Sequence, residues 1–446
     1  MDAWIDGIGL AALAALVVAQ ASLMLVHAVE HRRFHRSRRL ATVPFQSHPD
    51  LPHTTLFVPC KGHDLELEQN LVALFEQRYS ALEIIFAVES EDDPAVTVIR
   101  RLQAAFAHVP SRLVVAGLAH DCGQKVHNLR AATAQVSPRT QVLAFVDSDA
   151  RPHADFLMRL IDRLDSGKHA ISTGYRWHLP VRRTWINLLH AAANNWLTTL
   201  TSSHSLNLVW GGAWAIRRDV FDELQLRDAW QGALSDDLVL SRHLRQAGLS
   251  VAYEPHCLVA TPLATTWSGT LEFLRRQYLV TRVCVPLWWT FGLLATLATM
   301  AIPVLGAMLS IRLARQGGDW VAPLLIVLGH SAATSVRLVM GMRAVRPFIP
   351  RDRDVAGSIR PVCRLIVLGW PLIAVTHFVG LVTSAIGRSL TWRGISYRLL
   401  GPGKTVILRR GPAALLEPEP IAPVAKAPTA LLPAPHFVTR RVPAGD

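Results

Sequence analysis

Asp147-Ser148-Asp149 closes the apolar run Val142-Leu143-Ala144-Phe145-Val146. Such a run predicts a buried parallel strand. Two carboxylates leaving its carboxyl end, with Ser148 turning the chain between them, suit a hard divalent cation. Ligands of open α/β sheets bind just beyond the carboxyl ends of the strands. Mg²⁺ and Mn²⁺ use one or two carboxylates and take further oxygens from substrate phosphates. The pair therefore predicts a site for a nucleotide diphosphate. The plainer alternative is a turn with two solvated aspartates.

Other residues strengthen the first reading by their order. Asp236-Asp237 opens a helical segment with Leu238, Leu240 and Leu244 on its apolar side. Acids at a helix start commonly cap exposed N–H groups. Asp237 could instead act as a general base on an attacking hydroxyl. Gly211-Gly212 permits close backbone approach to a ligand. Trp214 could stack on a sugar or pack on a lipid chain, and Asp236 joins this expected acceptor and sugar side. Lys125 could neutralise phosphate, and Asn128 could point into the same cleft. Glu89, Asp92 and Asp93 follow a strand and could hydrogen-bond a base or ribose, although Asp93-Pro94 also reads as a helix start. Arg276, Gln277, Tyr278 and Arg282 precede an apolar stretch. They read as a basic membrane flank or as cationic support for a departing diphosphate.

Around these residues strands and helices alternate. Thr54–Val58, Glu83–Val88, Arg112–Ala116 and Gln141–Val146 read as strands. Leu65–Gln77, Pro94–Phe106 and Gln124–Ala134 read as the intervening helices. The pattern implies βαβ units in a mostly parallel sheet.

The chain has 446 residues, 50% hydrophobic and 18% charged. Its mean hydropathy is +0.26. That is too apolar for an ordinary soluble protein and fits a soluble domain with membrane helices. The net charge of +13 flanks the apolar segments, which favours a membrane surface over nucleic acid. The five cysteines have no paired spacing and suggest neither zinc nor a disulfide framework.

Residues 1–40 form an uncleaved anchor, apolar from Gly7 to Val26, with Arg32, Arg33, Arg36, Arg38 and Arg39 after it. Residues 41–282 form the soluble domain, which this charge pattern places in the cytoplasm. About three further spans fall within 283–390: Val283–Ile311, Trp320–Met342 and Pro361–Ile386. A basic juxtamembrane segment covers 391–411, and a disordered Pro- and Ala-rich tail covers 412–446. Four spans leave the carboxyl terminus outside, whereas Arg388, Arg393, Arg398, Lys404, Arg409 and Arg410 point inside. Either one span is re-entrant or a further segment crosses.

Val58-Pro59-Cys60-Lys61-Gly62, Glu91-Asp92-Asp93-Pro94-Ala95, Gly123-Gln124-Lys125 with Asn128-Leu129, Asp147-Ser148-Asp149, Gly211-Gly212 and Ser235-Asp236-Asp237 occur in this order. Together they resemble an inverting, membrane-bound family 2 glycosyltransferase. The likeness is closest to ceramide glucosyltransferases and their bacterial relatives, including the hopanoid-associated glycosyltransferases. It covers roughly residues 50–285 and extends to Trp392-Arg393-Gly394-Ile395-Ser396-Tyr397. The resemblance implies a GT-A fold, Rossmann-like with a mostly parallel sheet, plus α-helical transmembrane segments in a bacterial inner membrane. It implies uridine near Pro59 and Lys61, with Ser148, Lys125 and Asn128 also on the nucleotide-sugar side. Asp147 carries over as the metal-binding aspartate, completed by Asp149, with Mg²⁺ or Mn²⁺ as cofactor. Asp237 carries over as the catalytic base. Ser90 occupies the family's acidic nucleotide contact, so Glu89, Asp92 or Asp93 must replace it. The family's Gln/Arg-x-x-Arg-Trp motif has become Leu274-Arg275-Arg276-Gln277-Tyr278. Processive synthases depend on that motif, so its erosion implies transfer of a single sugar, from a donor such as UDP-glucose, to a lipid such as ceramide or a hopanoid. A polysaccharide synthase and a catalytically silent membrane scaffold are the competing readings; no nucleic-acid partner is expected.

Overall fold

The computed structural model describes residues 2–41, 51–165, 169–202, 207–354 and 356–411. The tail expected at 412–446 lies outside the described residues.

The chain begins with α1 (Asp2–Leu40) and continues β1 (Thr54–Pro59), α2 (Leu67–Phe75), β2 (Leu82–Val88), α3 (Pro94–Ala105), β3 (Ser111–Val115), α4 (Gln124–Thr133) and β4 (Val142–Val146). Then follow α5 (Phe156–Asp165), β5 (Ile171–Pro180), α6 (Trp185–Asn195), β6 (Ala213–Arg217), α7 (Arg218–Glu223), α8 (Leu226–Ala229), α9 (Asp236–Gln246) and β7 (Val251–Leu263). The last part comprises α10 (Trp267–Cys284), α11 (Pro286–Arg315), α12 (Val321–Val345), α13 (Ile359–Leu368), α14 (Trp370–Ala385), β8 (Ser389–Trp392), β9 (Ile395–Gly401) and β10 (Lys404–Arg410).

β1 to β7 form one sheet in the order β3-β2-β1-β4-β6-β5-β7. Neighbours run parallel except β6, which is antiparallel to both β4 and β5. All five residues of β4 are buried. Helices cover both faces of such a sheet, so its central strands carry unbroken apolar runs rather than alternation. From β1 the strand order runs outward through β2 and β3 on one side and starts again at β4 on the other. Ligands of doubly wound sheets sit at this reversal point, at the strands' carboxyl ends. The Asp147 turn leaves β4 there, beside the loop that leaves β1.

Among the described residues, α1, α11 and α12 are long and apolar enough to cross a membrane. Arg38, at the end of α1, pairs with the buried Glu254 of β7 at 2.6 Å and so ties that helix to the seven-stranded sheet. The segment expected as a single span at Pro361–Ile386 is instead the pair α13 and α14, bent by 85°. Just beyond α12 the chain meets the seven-stranded sheet, where Phe348 lies edge-on to His256 of β7 at 4.7 Å. Beyond α14 the chain returns again as β8 to β10, an antiparallel sheet that shares a core with the seven-stranded sheet. A pair bent in this way is one broken span or a re-entrant element, and the second agrees with the terminal charge.

The basic segment at 391–411 is therefore part of a folded sheet. Ile395, Tyr397 and Leu399 of β9 are buried in one core with Val126, Trp230 and Leu234. The intervening Arg398, and Leu400 after them, are exposed. The Tyr397 hydroxyl accepts the Gln124 N–H at 3.3 Å.

Candidate functional site

Asp147, Lys125, Asp236, Asp237, Gly211 and Gly212 come together at the carboxyl end of β4. Lys125, in the first turn of α4, lies 2.8 Å from Asp147 and 3.2 Å from Asp236. It also donates to the Gly211 carbonyl at 3.1 Å. These carboxylates hold the buried amine in its charged form, against the effect of burial. Asp237 opens α9, where Ser235 caps the helix by accepting the Leu238 N–H. One Asp237 oxygen accepts the Gly211 N–H at 2.8 Å and the other accepts the Leu238 N–H at 2.8 Å. The Ser235 hydroxyl donates to the second oxygen as well. The helix start and these donors fix the orientation of the half-buried Asp237 side chain.

The two glycines are required by space. A Cβ on Gly211 would lie 2.9 Å from the Asp237 carboxylate, and one on Gly212 would lie 2.8 Å from that of Asp147. They let the strand leading into β6 slide between the metal-type pair and the base-type residue.

Asp149 completes the pair. Its Oδ1 is buried and has no hydrogen-bond partner among the described residues. Burial first, and then the Asp147 charge, push its carboxyl up to about 6. A carboxylate with an orphaned oxygen beside a second carboxylate is a poor arrangement without a cation, and a good one with it. The donors are oxygens alone, and no group of three His, Cys, Asp or Glu joins them among the described residues. The residues present fit a hard cation that takes its remaining ligands from substrate and water.

Several expected site residues have other duties. Trp214 does not face a sugar. It is fully buried in β6, stacked on Phe145 with centroids 3.9 Å apart and edge-on to Trp230 at 6.3 Å. Successive strand residues alternate faces, and Trp214 falls on the face covered by α4 and α9. Truncation of such a residue typically costs about 3–5 kcal/mol. Trp214→Ala should accordingly lower the thermal midpoint sharply, with Trp214→Phe much milder. Asp236 is not an open sugar contact either, for it is buried against Lys125, and burial pushes its carboxyl up to about 7. Asn128 is buried and satisfied within the fold, accepting from Gln124 at 2.9 Å. Asp93 caps α3 through the Ala95 N–H at 2.9 Å and accepts the Gly62 N–H at 2.9 Å.

The nucleotide side keeps Pro59, Lys61 and Glu89 together, with Lys61 paired to Glu89 across the ends of β1 and β2. Asp92 is exposed, its N–H bonded to Ser90 Oγ at 3.2 Å. Ser148 Oγ donates to Asp64 at 2.6 Å. Gln277 is exposed on α10. Tyr278 turns away to His377 of α14, with its hydroxyl 2.6 Å from Nδ1. Arg282 donates to the carbonyls of Ala385 and Gly387, closing the end of α14 rather than facing a leaving group. Arg276 does approach the cleft. Its charge lies 5.2 Å from the Trp392 ring, and burial with the nearby Arg176 and Arg393 charges lowers its pKa to about 10. Asp64, Arg176 and Arg393 are site residues that motif order did not single out. Arg393 lay within a quoted motif, while Arg176 sits on a strand with no apolar run.

A family model described as glycosyl transferase family 21 matches residues 10–406. Ceramide glucosyltransferase 1 of Caenorhabditis elegans is 23% identical over 283 residues, covering 61% of this chain and 57% of that protein. The ceramide glucosyltransferase of Komagataella phaffii (strain GS115 / ATCC 20864) is 32% identical over 122 residues, covering 26% of this chain and 23% of that protein. The chain thus matches less than two thirds of the length of either relative. Among solved structures, a mannosyltransferase from Pyrobaculum calidifontis in complex with GDP-Man and Mn²⁺ aligns with TM-score 0.42 and 16% identity, over 84% of this chain and 99% of that one. The likeness to ceramide glucosyltransferases read from the motifs is borne out, under family number 21 rather than 2. With the match running from the membrane anchor into the last strand, the chain belongs to glycosyl transferase family 21.

Proposed function

We propose that this glycosyltransferase moves one sugar from a nucleotide sugar of the UDP-hexose class to a lipid hydroxyl, such as that of ceramide or a hopanoid, with inversion. The observation that carries the reading is the meeting of the Asp147–Asp149 pair and Asp237 on either side of Gly211-Gly212. Asp147 and Asp149 would hold Mg²⁺ or Mn²⁺, which supplies positive charge to a departing diphosphate. Lys125 places a fixed cation between Asp147 and Asp236. Asp237 takes the proton of the acceptor hydroxyl as its oxygen attacks the anomeric carbon from the face opposite the diphosphate. One displacement inverts that carbon, and no covalent enzyme intermediate is required. The lipid acceptor is supported by the names of the matched relatives and by α10, which runs from the cleft directly into α11. A cytoplasmic catalytic domain on an inner membrane is supported by the arginines that follow α1's apolar stretch.

Detergent-purified full-length protein, incubated with Mg²⁺ or Mn²⁺, radiolabelled nucleotide sugars and a panel of lipid acceptors, should yield one labelled lipid on extraction. Labelled polymer would instead establish a processive synthase. Metal-dependent nucleotide-sugar binding without any transfer to native membrane lipids would establish a silent scaffold.

A further inference from the structure

β8 and β9 are joined by a two-residue turn made of Arg393 and Gly394, with φ of +47° and +76°. Left-handed backbone at both positions is what so short a hairpin turn needs. Glycine meets that need freely, while an arginine there is held against its own preference. The turn does not project into solvent. One arm of the Arg393 guanidinium donates to the Lys61 carbonyl at 2.8 Å, and the other pairs with Asp64 at 2.8 Å. Asp64 in turn accepts from Ser148, between the two metal-type aspartates. Arg393 therefore grips the loop leaving β1 and, through Asp64, is tied to the loop leaving β4 at the reversal point of the sheet.

Its support is rigid. Leu390, Ile395, Tyr397 and Leu399 are buried in the core of the catalytic domain. The carbonyl of Gly403, in the β9–β10 turn, lies so close to Gly232 that no side chain fits there. The Arg393 side chain itself is 35% exposed. A guanidinium offers five N–H donors in a planar fork suited to phosphate oxygens, and the contacts above occupy two of them. Arg276 lies behind the turn, stacked on Trp392, and Arg176 lies over Trp210 at 4.9 Å. The open edge of the site is thus lined by fixed cations from three separate parts of the chain.

We propose that Arg393 is a donor-binding residue, delivered by the hairpin that follows the membrane helices, whose guanidinium binds the diphosphate of the nucleotide sugar. This rests on the donor assigned above. It gives the hairpin a direct part in substrate binding rather than a purely structural one.

The test compares UDP with uridine, which lacks the phosphates, on full-length protein in detergent with Mg²⁺. Arg393→Gln should weaken UDP binding about 10- to 100-fold, the worth of a lost charge-assisted phosphate contact, and leave uridine affinity unchanged. Arg409→Gln, an exposed change of equal charge on β10, should alter neither. Arg393→Lys keeps the charge without the fork and should lose UDP affinity severalfold with normal uridine binding. It decides the matter if the glutamine variant does not fold. Unchanged UDP affinity in the Arg393 variants, or equal loss of UDP and uridine, would overturn the proposal. Wild-type protein that binds neither UDP nor GDP would instead remove the donor reading itself, and this proposal with it.

Discussion

Asp237→Asn is expected to lower the single-turnover rate by about 10²–10⁴-fold, the usual contribution of a positioned general base. Nucleotide-sugar affinity should stay within about twofold of wild type, since the lost interaction arises only as the hydroxyl is deprotonated. The geometry favours this split. Asp237 is tied to backbone N–H groups of Gly211 and Leu238, and its Cα is set by the start of α9. Asparagine has the same shape and keeps one acceptor oxygen, so the helix cap and the glycine approach survive. Asp352→Asn is the matched control, an exposed carboxylate paired with its neighbour Arg353 at 3.1 Å. Rapid-quench measurement of labelled lipid, alongside equilibrium binding of the donor, separates the two quantities. Equal, mild losses in both variants would exclude Asp237 as the base.

Asp149→Asn, or removal of divalent cations, is expected to cost roughly 10²–10⁴-fold in turnover, since a bound cation contributes several kcal/mol to a charged leaving group. The same residue sets a pH dependence. Burial and Asp147 push the Asp149 carboxyl up to about 6. The folded chain therefore holds this proton more tightly than the unfolded chain does. Its stabilising contribution in metal-free protein is present at low pH and is lost as pH rises through about 6. A cation must displace the proton, so below that pH its affinity should fall about tenfold per unit. The rise in thermal midpoint on adding Mn²⁺ should thus be larger at pH 7.5 than at pH 5, a contrast that Asp149→Asn abolishes. An Mn²⁺ shift that is the same at both pH values would remove Asp149 from the metal site.

The first half of the catalytic domain was legible because its physics is local. Parallel strands buried on both faces carry apolar runs, and β1 to β4 start and end within a residue or so of the runs that predicted them. β5 and β7 were not legible. Arg176 and His178 interrupt one and Glu254 and His256 the other; Arg176 is held over Trp210, and Glu254 by Arg38, partners distant in sequence. Trp214 was misplaced because nearness to Gly212 in sequence outweighed the alternation of a strand. Asp93 was ambiguous for a real reason, since Asp-Pro at a helix start serves capping and ligand binding alike. The terminal sheet was masked by its arginines. The period of two in Ile395, Tyr397 and Leu399 was present, but the flanking charge read as membrane flank.

The terminal sheet also sets an order of assembly. Tyr397 meets Gln124 across 273 positions of chain, with α11 and α12 made in between. Chains are synthesised from the amino end, and domains fold as their parts emerge. The ribosome therefore releases most of this catalytic domain with one wall of its core missing and the Arg393 turn not yet made. α11 and α12, which are long and apolar enough to cross a membrane, are made before that wall is translated. A chain that ends before β8 therefore lacks both that wall and the Arg393 turn, however complete its earlier strands.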